Sequence, residues 1–150
     1  MTNHQYLDFE FTCVIDAPVD RVFNTIADQA AISTFFTDAS SGPLTTGATL
    51  HWRFGDLVID VQVEEVVPNQ RIVCNWPAAG KVDYRTTFTF TFQSHADSTV
   101  IHVSETGWRP DAPGIASAFD QCSGWTHFFA SLKARLEHNV DLKHFYFDAN

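Results

Sequence analysis

The sequence predicts an α+β fold: a curved antiparallel sheet with two short helices after its first strand, gripping a long C-terminal helix. Three observations carry that expectation. Five or six segments in the first two thirds of the chain alternate apolar and polar side chains, the period of half-buried strands. Across residues 113–138 the apolar positions Ile115, Ala118, Phe119, Cys122, Trp125, Phe129, Leu132 and Leu136 step by three or four, the period of one apolar helix face. The order strand, two short helices, strands, long helix is that of a meander sheet with segregated helices, here expected to form one domain over residues 1–150.

Each element has its own signal. In residues 8–15, Phe9, Phe11, Cys13 and Ile15 share one face, and Asp8, Glu10 and Thr12 share the other. Pro18 suits the first turn of a helix, and Asp20 sits near that helix's positive end. Val19, Val22, Phe23 and Ile26 give it an apolar face. Asp28 is an N-cap for a second short helix carrying Ile32, Phe35 and Phe36. The breakers of residues 40–47 predict a loop. Leu50, Trp52 and Phe54 then alternate with His51 and Arg53, and Gly55-Asp56 is a two-residue hairpin signal. The return strand places Leu57, Ile59, Val61 and Val63 inside, with Asp60, Gln62 and Glu64 outside. Pro68-Asn69 turns the chain into Ile72, Cys74 and Trp76, and residues 77–81 turn it again. Tyr84, Thr86, Phe88, Phe90 and Phe92 form the clearest strand face, and Thr99, Ile101, Val103 and Glu105 follow on the next.

Composition excludes several functions. At 150 residues the chain can bury roughly 70% of its unfolded surface. A net charge of −9 without a basic stripe argues against nucleic acid and anionic membrane as partners. No apolar run approaches the ~20 residues of a membrane span, so no membrane insertion is expected. Residues 1–11 have no basic segment leading an apolar core, so no signal peptide is expected. Cys13, Cys74 and Cys122 are odd in number, far apart and without CxxC spacing, which fits free thiols in a cytoplasmic protein.

Familiar catalytic patterns are missing. The seven histidines include no HExxH, no HxH and no Cys partner at ligand spacing, so no metal and no cofactor are expected. His127 falls outside the apolar helix stripe and reads as solvated, like His51 and His102. Ser123 sits in CSGW, which is not a nucleophile elbow. No catalytic residue is assigned. The three cysteines lie on apolar faces, where a thiol is a small hydrophobe.

What remains is a set of large side chains on two facing walls. From the sheet come Trp52, Phe54, Ile59, Val61, Trp76, Tyr84, Phe88 and Phe90. From the long helix come Phe119, Cys122 and Trp125. A long helix over a curved sheet can leave a space between them, and these residues would line it for a small apolar ligand. Glu105 shares the inward face of Ile101 and Val103 and would be a polar anchor, its carboxyl harder to ionise than a free Glu. Replacing it by Gln is expected to keep the fold. Tyr84 has the same parity as Phe88 and would bring a hydroxyl towards Glu105. An alternative reading makes Glu105 and Tyr84 the acid and base of a metal-independent cyclase or hydrolase.

Two segments carry a family resemblance. IDAPVDRVFNTIAD, residues 15–28, resembles the strand-to-helix start of the START-like (SRPBCC) superfamily, the birch-pollen-allergen helix-grip fold. SGWTHFFASLKARLEH, residues 123–138, resembles the C-terminal helix of its branch related to the C-terminal domain of the heat-shock-protein ATPase activator. The resemblance implies a deep cavity between sheet and C-terminal helix, used for lipids, polyketides, hormones or other apolar ligands. It also leaves a homodimer and a chaperone partner open. The activator itself binds its chaperone with the help of a separate N-terminal domain, for which these residues leave no room.

Overall fold

The computed structural model describes residues 6–78 and 83–143. Strand β1 (Leu7–Ile15) leads into helices α1 (Val19–Ala27) and α2 (Gln29–Ile32). Strands β2 (Ala39–Ser40), β3 (Thr49–Phe54), β4 (Leu57–Val67), β5 (Arg71–Pro77), β6 (Arg85–His95) and β7 (Ser98–Trp108) follow, and helix α3 (Ala112–His138) comes last. All seven strands form one antiparallel sheet in the order β1-β7-β6-β5-β4-β3-β2. From β2 to β7 this is a meander, because short turns can only join neighbours; β1 closes the far edge by pairing with β7. The α+β helix-grip expectation holds.

Local chemistry explains the joints. Gly55 takes φ 61° in the two-residue turn that sets Phe54 opposite Leu57. Asn69, at φ 64°, turns β4 into β5. The register of β4 against β5 slips between Val63 and Glu65, a bulge that bends the sheet. Asp28 caps α2 by accepting from the amides of Ala30 and Ala31 at 3.1 and 2.9 Å. Asp111 caps α3 through the amide of Gly114 at 2.8 Å, and Asn139 ends it in the left-handed conformation.

The core lies between the concave face of the sheet and the helices. Ile15, Val61, Cys74, Phe88, Ile101 and Val103 are fully buried. Phe23 of α1 meets Phe92 edge-on at 5.5 Å. Helix α3 packs chiefly on β1 and touches β7. Two polar ties fasten its C-terminal part. Lys133 Nζ donates to the Val14 carbonyl at 2.8 Å, and Glu137 accepts from the Asp16 amide at 3.0 Å.

Several expectations are corrected. Helix α2 ends at Ile32, so Phe35 and Phe36 stand in the turns beyond it. Within the expected loop of residues 40–47, Ser40 already belongs to β2, paired with Trp52. Leu57 is exposed, not inside, because the tip of the β3–β4 hairpin runs past the core. In α3 the apolar stripe is buried only from Trp125 onward; Ile115 and Phe119 are exposed. His127 is buried, not solvated, and Phe128, outside the expected stripe, is buried beside it. Here the helix is covered over a wider arc than its apolar stripe. The turn expected over residues 77–81 lies largely outside the described residues.

Candidate functional site

Strand parity turns Glu105 inward from β7, between Phe9 of β1 and Phe88 of β6. It is 1% exposed. Its Oε2 accepts from Trp76 Nε1 at 2.9 Å and from Thr86 Oγ1 at 2.7 Å. Its Oε1 accepts from Trp125 Nε1 at 2.6 Å. One carboxyl therefore joins β5, β6, β7 and α3. Burial raises its pKa; the hydrogen bonds from Trp76, Thr86 and Trp125 pull the other way without cancelling it. The hydroxyl partner is Thr86, not Tyr84. The Tyr84 hydroxyl instead accepts from the Arg109 amide at 3.3 Å, and the Arg109 guanidinium lies 4.4 Å from its ring centre. Because the two side chains engage different partners, the acid–base pair expected of Glu105 and Tyr84 is not assembled.

Around Glu105 the rings pack against one another. Trp76 stacks on Trp125 at 5.5 Å, and Phe88 lies 4.5 Å from Trp76. Trp52 meets Trp76 edge-on at 6.0 Å, and Phe90 meets Trp125 edge-on at 5.3 Å. These contacts make the centre of the grip part of the buried core.

The open space lies to one side. A pocket of about 580 Å³ sits between the β3–β4 hairpin and the first turns of α3. That volume falls within the ~300–1,000 Å³ of small-molecule sites. Phe36, Phe54 and Trp76 form its aromatic wall. The hairpin adds Leu57, Val58 and Ile59, and Pro77 and Ala78 close the end of β5. Asp60 from β4 and Asp120 and Gln121 from α3 are its polar groups.

Of the residues expected to line a ligand space, Phe54, Ile59 and Trp76 border this pocket. Trp52, Val61, Phe88, Phe90 and Trp125 are core residues behind it, and Glu105 is sealed among them. Cys122 is half-buried, and Tyr84 is held under Arg109. Phe119 is 74% exposed and borders no part of the pocket, since the helix presents Asp120 and Gln121 there instead. Sequence reasoning missed Phe36, Val58, Asp60, Asp120 and Gln121 as pocket residues. The signal available was the apolar hairpin tip, where Leu57 and Val58 are adjacent and cannot both face a core. Among the described residues no three His, Cys, Asp or Glu side chains group to hold a metal ion, and no helix is long and apolar enough to cross a membrane. Burial pushes the Cys74 thiol up, as it does the Cys13 thiol.

Comparison with known proteins agrees with this architecture. Residues 16–137 match the family described as activator of Hsp90 ATPase homolog 1-like protein. No curated protein matches the chain. A Staphylococcus saprophyticus protein of known structure is 26% identical, with a TM-score of 0.77 over 90% of this chain and 95% of its own. DynU16, a protein in the dynemicin biosynthetic locus, is 27% identical with a TM-score of 0.78 over 91% of this chain. This chain spans 49% of DynU16. The Aha1 dimer of Colwellia psychrerythraea, at 20% identity and a TM-score of 0.76 over 88% of this chain and 97% of its own, shares the fold. The chain belongs to the activator of Hsp90 ATPase homolog 1-like family, within the START-like superfamily.

Proposed function

From that membership and the pocket together, we propose that the chain is one cytoplasmic domain that binds a small apolar or amphipathic molecule between the β3–β4 hairpin and the first turns of α3. The observation that carries this reading is the pocket: about 580 Å³, with an aromatic wall of Phe36, Phe54 and Trp76. Apolar surface left open at this size is the usual mark of a binding site. The likeness to DynU16, a protein in the dynemicin biosynthetic locus, supports this reading. The buried Glu105 then acts as a structural tie behind the pocket wall, not as an acid catalyst.

Nile red, a neutral dye that brightens in apolar surroundings, tests the reading. It should bind saturably with one site per chain. Phe54→Ala should weaken binding several-fold, because it removes a wall ring. Linear, non-saturating fluorescence, or unchanged affinity in Phe54→Ala, overturns the proposal.

A further inference from the structure

The charged groups among the pocket's described lining residues have one sign. Asp60 and Asp120 border it from opposite walls, one on the sheet and one on the helix. No Lys, Arg or His is among its described lining residues. Asp120 has no ion-pair or hydrogen-bond partner among the described residues. Asp60 is only loosely matched. Its Oδ2 lies 3.6 Å from Arg85 Nη1, while its Oδ1 is shielded from solvent and accepts no hydrogen bond among the described residues. Arg85 is committed elsewhere. Its Nε donates to Asn75 Oδ1 at 2.6 Å, and its Nη2 donates to the carbonyls of Asn75 and Asp60 at 3.1 and 3.2 Å. The pocket is thus bordered by two carboxylates, one without an ion pair among the described residues and one partly exposed and 3.6 Å from its arginine, beside three aromatic rings.

Three ligand classes fare differently there. An anion meets two carboxylates and no cationic side chain among the described lining residues. A neutral molecule removes water from Asp60 and returns no charge to it, and a half-satisfied carboxylate is costly to desolvate. A cation gains both carboxylates, beside an aromatic wall of Phe36, Phe54 and Trp76 whose π electrons favour positive charge. Resting on the pocket reading above, we infer that the ligand is an apolar molecule carrying a positive charge, an alkyl or aryl amine or a quaternary ammonium. The apolar part lies against Leu57, Val58 and Ile59, and the cationic part lies between Asp60 and Asp120.

Three probes of one chain length separate sign from apolarity: decyltrimethylammonium, decan-1-ol and decyl sulfate. The two ionic probes are titrated below their micelle concentrations and the alcohol below its solubility limit, with binding followed by tryptophan fluorescence and calorimetry. Salt is held near 0.15 M, where charges beyond about 8 Å are screened, so the net charge of −9 contributes little. The ammonium should bind about tenfold tighter than the sulfate, a ratio worth about 1.4 kcal/mol, with the alcohol between them. In Asp60→Asn/Asp120→Asn the two charged probes should come within about twofold of each other, and the alcohol should bind at least as tightly as it does to the native chain. Asp120→Asn alone, which breaks no ion pair, should halve the discrimination and serves if the double variant does not fold. Equal affinity for ammonium and sulfate, tighter sulfate, or an ammonium-to-sulfate ratio that does not fall in the Asp120→Asn and double variants overturns the inference while alcohol binding leaves the pocket reading intact. Failure of all three probes to bind overturns both.

Discussion

The two halves of α3 share one apolar period and meet different fates. Residues 125–138 bury Trp125, Phe128, Phe129, Leu132 and Leu136. They are tied down by Trp125 to Glu105, Lys133 to Val14 and Glu137 to Asp16. Residues 112–124 leave Ile115 and Phe119 exposed and border the pocket with Asp120 and Gln121. An apolar stripe therefore makes a helix, but burial needs an opposing surface. β1 and β7 supply that surface beneath the second half. Beneath the first half the sheet gives way to the β3–β4 hairpin and the pocket.

The largest expected effect breaks the comparison from the buried side. Phe129 is 3% exposed and meets Phe11 and Phe128 edge-on at 5.5 and 5.3 Å. Phe129→Ala removes a packed ring and should cost about 3–5 kcal/mol in urea denaturation. An unchanged midpoint would mean that the C-terminal half is not seated on β1.

Glu105→Gln comes next, and the geometry revises the benign outcome read from sequence. All three partners of Glu105 can donate, and two of them are indole N–H groups that cannot accept. An amide must turn its NH₂ toward one indole, so a buried donor loses its acceptor at about 1–3 kcal/mol. The pH dependence has a definite sign. The folded-state pKa is raised by burial, so the native state holds this proton longer than the unfolded chain, whose Glu titrates near about 4.3. Glu105 thus favours the fold below that pH, and the contribution is lost as pH rises through the folded value. Stability profiles of the native chain and the Gln variant should converge as pH rises. Parallel profiles would show that the carboxyl titrates as it does in the unfolded chain. Glu137 runs the other way. Burial pushes it up, but the Asp16 amide and Lys133 outweigh that and hold it below its usual range, so its contribution fades as pH falls.

How much of this was legible follows from which forces are local. Alternation and helix period exposed every long element, and parity alone placed Glu105 inside with Ile101 and Val103. The partners of Glu105 were not legible, because Trp76, Thr86 and Trp125 meet it through pairing across three strands and a helix. Tyr84 had the right parity but precedes the start of β6, where Arg109 captures its ring. The pocket was misplaced for a related reason. Composition shows that there are many rings, but whether they fill a core or line a space depends on the bend of β4 and the reach of the hairpin tip. A register slip at Glu64 and the exposure of Leu57 and Val58 are tertiary outcomes.

The smallest effect sharpens the comparison. Phe119 has the size and helix period of Phe129, so from sequence its truncation would look equally harmful. It is 74% exposed, borders no part of the pocket, and no ring contact holds it among the described residues. Truncating an exposed ring forms no cavity, and Ala is the better helix former, so the loss of slight contact area is set against a gain in propensity. Phe119→Ala should therefore shift stability by no more than about 0.5 kcal/mol in the same urea experiment. Nile red affinity should stay as in the native chain, since Asp120 and Gln121, not Phe119, face the pocket. A loss above about 1 kcal/mol would mean that residues 112–124 pack in solution as firmly as residues 125–138, and the contrast between the halves would fail. A stable variant with weakened dye binding would instead place Phe119 over the pocket mouth in the bound state, so that the first half of α3 moves when the ligand arrives.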